Sequence, residues 1–109
     1  MNTPEFNKIV TDRMSKIELV LAGKATEYAT EDRLHNFKTA AIIDGVTPKR
    51  ALWGMFMKHF VSVQDMALDR RGASVEMVDE KIGDAINYLV LLEAVIKEEL
   101  TEKQNKGVE

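Results

Sequence analysis

A chain of 109 residues, 45% hydrophobic and 30% charged, has the size of one domain and enough apolar material for a core. Its net charge of −3 disfavours a general nucleic-acid binder, which carries a basic surplus. The absence of cysteine excludes disulfides, thiolate metal sites and cysteine nucleophiles.

The opening Met1-Asn2-Thr3-Pro4-Glu5 has neither a basic head nor an apolar run, so no secretory leader is predicted and a cytoplasmic location is expected. Thr3-Pro4 reads as a helix start, a hydroxyl N-cap followed by a proline whose missing N–H costs nothing there. Phe6, Val10, Ile17 and Leu21 then recur at helical spacing, flanked by Ile9 and Val20, which predicts a first helix from Pro4 to about Tyr28. Thr30 is the next cap, followed by Glu31 and Asp32, which suit the positive end of a helix. Leu34, Phe37 and Ala41 give a shorter helix ending before Asp44-Gly45. Thr47-Pro48 repeats the start signal and opens a third helix with Trp53, Phe56, Phe60, Val63 and Ala67 on one side and Gly72 as its stop. Ser74 caps a fourth helix running to about Glu102. No segment alternates with period two over a useful length. The sum is an all-α, four-helix bundle-like domain (five helices if one breaks) over residues 1–102, with a polar, frayed tail at 103–109.

The fourth helix bears on assembly. Ala85 to Leu92 is apolar on nearly every side, and such a helix must be covered all round. Three partner helices in so short a chain cannot do that, so a homo-oligomer, a dimer or a tetramer, is expected. Asn87 and Glu93 interrupt the stretch, which is too short to span a bilayer, so no membrane partner is expected.

Polar residues mark a candidate site. Glu80, Asp84 and Asn87 are spaced i, i+4, i+7 and share a helix face with Leu91. Lys58, Ser62, Asp65 and Asp69 form another stripe, opposite Trp53, Phe56 and Phe60. An antiparallel hairpin about the Arg70–Ala73 turn brings Asp65 level with Glu80, Ser62 with Asp84 or Ile82, and Lys58 with Asn87. Carboxylates on facing helices can hold Mg²⁺, which prefers oxygen ligands and retains waters and phosphates in its shell. Such an ion activates water and steadies charge in phosphoryl transfer. The plainer reading makes the stripe a solvated helix face with ordinary ion pairs. Lys24 and Tyr28 continue the apolar stripe of the first helix, where the lysine either snorkels to the surface or meets an anion. His35 and His59 are not a metal pair by spacing, although His59 beside Lys58 is within reach of a phosphate. Asn36 reads as a loop hydrogen bonder, Trp53 as core, and Arg70-Arg71 as cations at a helix C-terminus.

Four blocks are distinctive: Lys24-x-x-x-Tyr28; Asp32-Arg33-Leu34-His35-Asn36-Phe37; Lys58-His59-x-x-Ser62-x-x-Asp65; and Glu80-Lys81-Ile82-Gly83-Asp84-Ala85-Ile86-Asn87-Tyr88. Together they resemble small bacteriophage and prophage proteins. These in turn are similar to the MazG-like all-α nucleoside triphosphate pyrophosphohydrolases and to helical nucleotide-modification-associated domains. The resemblance covers about Lys24 to Leu92, and its last block is the most specific part. It implies a phage-type nucleotide-binding protein of a bacterial cell or infected host, with a nucleotide or nucleotide phosphate as partner. It also implies Mg²⁺ held by carboxylates on two helices, with release of pyrophosphate as the reaction. Asp84 falls on the family's aspartate, and Glu80 stands one position off its glutamate. The family's upstream carboxylates fall near Lys58, His59 and Ser62, none of them an acid.

On this resemblance Asp84 and Glu80 are expected as metal ligands, and Asp65 as a third ligand or water-orienting base. Lys58 and Lys24 would be phosphate partners, with Tyr28 and His59 beside the substrate and Asn87 orienting it. The alternative, favoured by the missing carboxylates, is a non-catalytic oligomeric interaction or scaffold module of phage origin.

Overall fold

The computed structural model describes residues 1–23 and 32–108. Among these, four helices and no strand are present: α1 (Thr3–Ile17), α2 (His35–Asp44), α3 (Pro48–Ala67) and α4 (Val75–Val108). The all-α expectation therefore holds. Lys24, Tyr28 and the expected helix start at Thr30 and Glu31 lie outside the described residues.

The first cap is Asn2, not Thr3. Asn2 Oδ1 accepts from the Glu5 N–H at 2.9 Å while Glu5 Oε2 accepts from the Asn2 N–H at 3.0 Å, a reciprocal capping box that leaves Thr3 as the first helical residue. The α-helical ladder ends at Ile17 and widens into a π-helical turn over Glu18–Ala22, so the expected first helix changes pitch after Ile17. Leu34 is the N-cap of α2, without a side-chain cap bond, and just ahead of the helix Asp32 Oδ1 accepts from the Leu34 N–H at 3.0 Å. Gly45, at φ 68°, ends it in the left-handed conformation that glycine adopts without a Cβ penalty, while the Val46 N–H reaches back to Ala41 O at 2.9 Å. Thr47 Oγ1 caps α3 as expected, by accepting from the Arg50 N–H. That helix stops at Ala67, ahead of Gly72. Asp69 turns left-handed at φ 56°, and the Arg70 N–H closes onto Asp65 O at 2.8 Å. Ser74 Oγ accepts from the Met77 N–H and opens α4, which continues past Glu102 to Val108, through most of the expected tail.

The core lies where α2, α3 and the second half of α4 cross: Leu34 and Phe37, Leu52 and Phe56, and Val95. Leu52 is fully buried. Trp53, expected in the core, is 40% exposed, and Phe60 is also exposed, because the inward stripe of α3 runs through Leu52, Phe56, His59 and Val63. Trp53 and Phe60 flank that stripe and touch it through Phe56, at centroid distances of 5.5 and 6.0 Å. α3 and α4 pack as the expected antiparallel pair, α2 lies on α3, and α1 packs on α4. α1 has no buried residue. Among the described residues no helix is long and apolar enough to cross a membrane.

Ion pairs tie the ends of the bundle. Lys38 bridges Asp32 and Glu98, and Glu99 accepts from both Lys49 and Lys103. The hydrogen bond from Lys38, then that from the Leu34 N–H, hold the Asp32 carboxyl below its ordinary value of 3.8. Lys49 and Lys103 hold Glu99 below its ordinary 4.5. Both carboxyls have a folded pKa below the unfolded one, so their contribution is complete above the unfolded values and is lost as pH falls through the folded ones. The unfolding temperature should therefore decline once pH drops below about 4.5. Lys38→Met should weaken that dependence, a change that thermal unfolding over a pH series would register. An unaltered acid profile in the variant would count against the Lys38 pairings.

Candidate functional site

Two clefts meet along the first half of α4. The larger, of about 310 Å³, is lined by Asp84, Asn87, Tyr88 and Leu91, four positions that helical spacing puts on one face. Facing them are Asp32, Arg33, His35 and Asn36, at the start of α2. Leu34 and Phe37 are turned into the core, and the polar residues around them are left at the cleft. Val20 and Leu21 of the π-helical turn complete it.

The smaller cleft, of about 170 Å³, lies towards the start of α4. Asp79, Glu80 and Gly83 line it from α4, and Arg13 and Lys16 from α1. Val20, Asp84 and Asn87 line both clefts. Arg13 Nη2 donates to Asp79 O at 3.2 Å and stands 3.6 Å from the Asp79 carboxylate, which also holds Lys16 Nζ at 3.2 Å. The guanidinium rests against Gly83, where a Cβ would lie 2.7 Å from Arg13 Nη1 and displace the end of that side chain.

Asn87 Oδ1 is buried and has no hydrogen-bond partner among the described residues. A buried acceptor left unpaired costs about 1–3 kcal/mol, and folded proteins carry few of them. Behind it, the His59 and Tyr88 rings are 4.6 Å apart, tilted by 31°. His59 Nδ1 stands 3.6 Å from an Asp84 carboxylate oxygen.

The structure thus brings together Glu80, Asp84 and Asn87, with His59 adjoining through Asp84 and Tyr88. Lys58 is exposed, and its carbonyl accepts from Ser62 Oγ at 3.0 Å. Asp65 lines neither cleft. It lies two residues past Val63, on the other flank of α3, with Arg70 at 3.8 Å. Glu80 is exposed and pairs with Lys81 at 3.5 Å. The expected Asp65–Glu80–Asp84 set is therefore not gathered. Among the described residues no three histidine, aspartate or glutamate side chains stand close enough to hold a metal ion together.

Sequence reasoning gave His35 and Asn36 no part in a site and passed over Arg13 and Lys16 altogether. The signal for the first pair lay in Leu34 and Phe37: two core positions three apart fix which way the intervening residues face. For Arg13 the only trace was Gly83, a residue without a side chain inside a helix. No protein-family model, curated protein or solved structure matches the chain.

Proposed function

We propose that the protein binds a nucleotide in the paired clefts of α4. The observation that carries this reading is Asn87, which lines both clefts and whose Oδ1, sealed from solvent, has no hydrogen-bond partner among the described residues; a ligand's donor reaches that acceptor when the side chains covering it give way. The larger cleft suits a nucleobase. Tyr88 supplies an aromatic surface, Leu91 and Leu21 apolar ones, and Asp84, Asn36 and Asn87 supply hydrogen-bonding groups for a base edge. The resemblance to MazG-like enzymes concentrates in the same stretch of α4.

Mg²⁺ enters this reading through Glu80 and Asp84. With two carboxylates in place of three, the remaining oxygen ligands come from water and the nucleotide's phosphates, where the ion neutralises charge. Mg²⁺ should accordingly bind weakly alone and strengthen nucleotide binding. Thermal unfolding against the common ribo- and deoxyribonucleoside triphosphates, with and without Mg²⁺, tests both statements. At a hundredfold excess over the dissociation constant a ligand contributes about 2.7 kcal/mol. For a chain of this size that is a rise on the order of 10 °C. Pyrophosphate release that vanishes in Asp84→Asn would assign hydrolysis to this site. A flat response to every nucleotide would sink the reading in favour of the interaction module.

We also propose that the chain self-associates. Phe6, Ile9 and Met14 on α1 and Leu89, Ile96 and Leu100 on α4 are all at least 39% exposed, more apolar surface than a monomer of this size usually leaves to water. The signature is an unfolding temperature that rises with protein concentration.

A further inference from the structure

We infer that Arg13, seated over Gly83 with Lys16 beside it, is the phosphate-binding residue of a bipartite groove, with the base in the larger cleft and the phosphate in the smaller. This rests on the nucleotide reading and adds which end of the ligand lies where.

The two clefts adjoin at Val20, Asp84 and Asn87; Arg33 lines the larger beside Asp32, whereas two cations, Arg13 and Lys16, line the smaller. The aromatic Tyr88 and the asparagine and histidine at the start of α2 lie at one end. The side chains of Arg13 and Lys16 line the other. A nucleotide has the same polarity, a flat ring joined through a sugar to an anion. Arg13 is placed for this task. Its side chain is 18% exposed, held against the backbone of α4 where Gly83 leaves room. Its only hydrogen bond among the described residues goes to Asp79 O. A guanidinium carries five N–H donors in a planar fork, so most remain for the paired oxygens of a phosphate. Lys16, half-exposed, adds a second cation 3.2 Å from the Asp79 carboxylate. Asp79, Glu80 and Asp84 line the same cleft and repel an anion. The phosphate is therefore expected to bind best with Mg²⁺ present; Lys58, exposed on α3, lines neither cleft.

Calorimetric titration with the four common deoxyribonucleosides and their 5′-monophosphates, all in Mg²⁺ buffer, tests this. The quantity read is the ratio of nucleotide to nucleoside affinity for the best-bound base. In the unaltered protein that ratio should be about tenfold or more, the yield of one or two charge-assisted hydrogen bonds. Arg13→Gln should reduce it about tenfold. Gly83→Ala removes no charge; its Cβ, 2.7 Å from Arg13 Nη1, displaces the end of that flexible side chain and should lower the ratio by less than Arg13→Gln does. Lys8→Gln, which changes an exposed lysine paired with Asp12 on the same helix, should leave it alone. Should Arg13→Gln fail to fold by far-ultraviolet dichroism, Gly83→Ala and Lys16→Gln decide the matter. A ratio near one in the unaltered protein, or one that survives these substitutions, overturns the bipartite groove while base binding stands. Binding of neither nucleosides nor nucleotides overturns the nucleotide reading itself, and this inference with it.

Discussion

Asn87→Leu is expected to make the protein more stable and a poorer nucleotide binder at once. The buried Oδ1 has no partner among the described residues, so removing it relieves about 1–3 kcal/mol of desolvation cost in the free protein. Leucine also has the higher helix propensity, by a few tenths of a kcal/mol. An increase of roughly 4–10 °C in unfolding temperature should follow for a domain of this length. On the nucleotide reading, the same change takes a hydrogen-bonding residue from the lining that the two clefts share. A ligand donor left facing leucine loses a hydrogen bond in a desolvated site, about tenfold or more in affinity. Opposite movements of stability and binding are characteristic of a residue kept for function at a structural cost. If Asn87→Leu instead lowered the unfolding temperature and left affinity unaltered, Asn87 would be a packing residue and the cleft would lose its anchor.

Leu52→Ala should have the largest effect on folding. Leu52 is fully buried and packs among Leu34, Phe37, Phe56 and Val95, so its truncation leaves a cavity with walls on three helices. Changes of this kind cost about 2–5 kcal/mol, against a total of about 5–15 kcal/mol for a domain. The core here is narrow: seven hydrophobic residues are buried among those described, and α1 contributes none of them. The variant should consequently depend on its neighbours for what stability it retains. Its unfolding temperature should rise with protein concentration more visibly than that of the parent, because self-association favours the folded chain by mass action. An unfolding temperature independent of concentration in both proteins would contradict self-association. A loss under 1 kcal/mol would contradict the placement of the core.

The helices were legible because their ends carry local chemistry. Thr47-Pro48, Ser74 and Gly45 each act through neighbouring backbone groups, and each does what its type suggests. Where two local signals competed, the choice between them was not legible. Asn2 outcompetes Thr3 because only Asn2 stands three residues before Glu5, which answers it. Asp69 stops α3 three residues before the glycine that seemed the obvious stop, since an aspartate also tolerates the left-handed region. The aromatic stripe misdirected the core of α3. Trp53 and Phe60 are large but sit to one side of the line through Leu52, Phe56, His59 and Val63, and burial follows the axis of helix crossing, not side-chain size.

The candidate site divided along the same lines. Glu80, Asp84 and Asn87 share one helix face, a relation that spacing alone fixes, and they line the smaller cleft as a group. Asp65 required the relative rotation of two helices, which no single-helix pattern specifies, and it fell outside. Arg13 required a contact between α1 and α4 across 66 residues of sequence, where its guanidinium rests against Gly83. Lys24 and Tyr28 lie outside the described residues, so their part in binding rests on the resemblance alone.

The most direct measurement is a nuclear magnetic resonance titration of labelled protein with a nucleotide in Mg²⁺ buffer, following the side-chain amides of Asn36 and Asn87 and the Tyr88 ring. Nucleotide binding in the paired clefts predicts that these signals move first and together, with the Arg13 guanidinium following only when the ligand carries a phosphate. Shifts confined to the exposed apolar residues of α1 and the far half of α4, with the Asn87 amide unmoved, would contradict it.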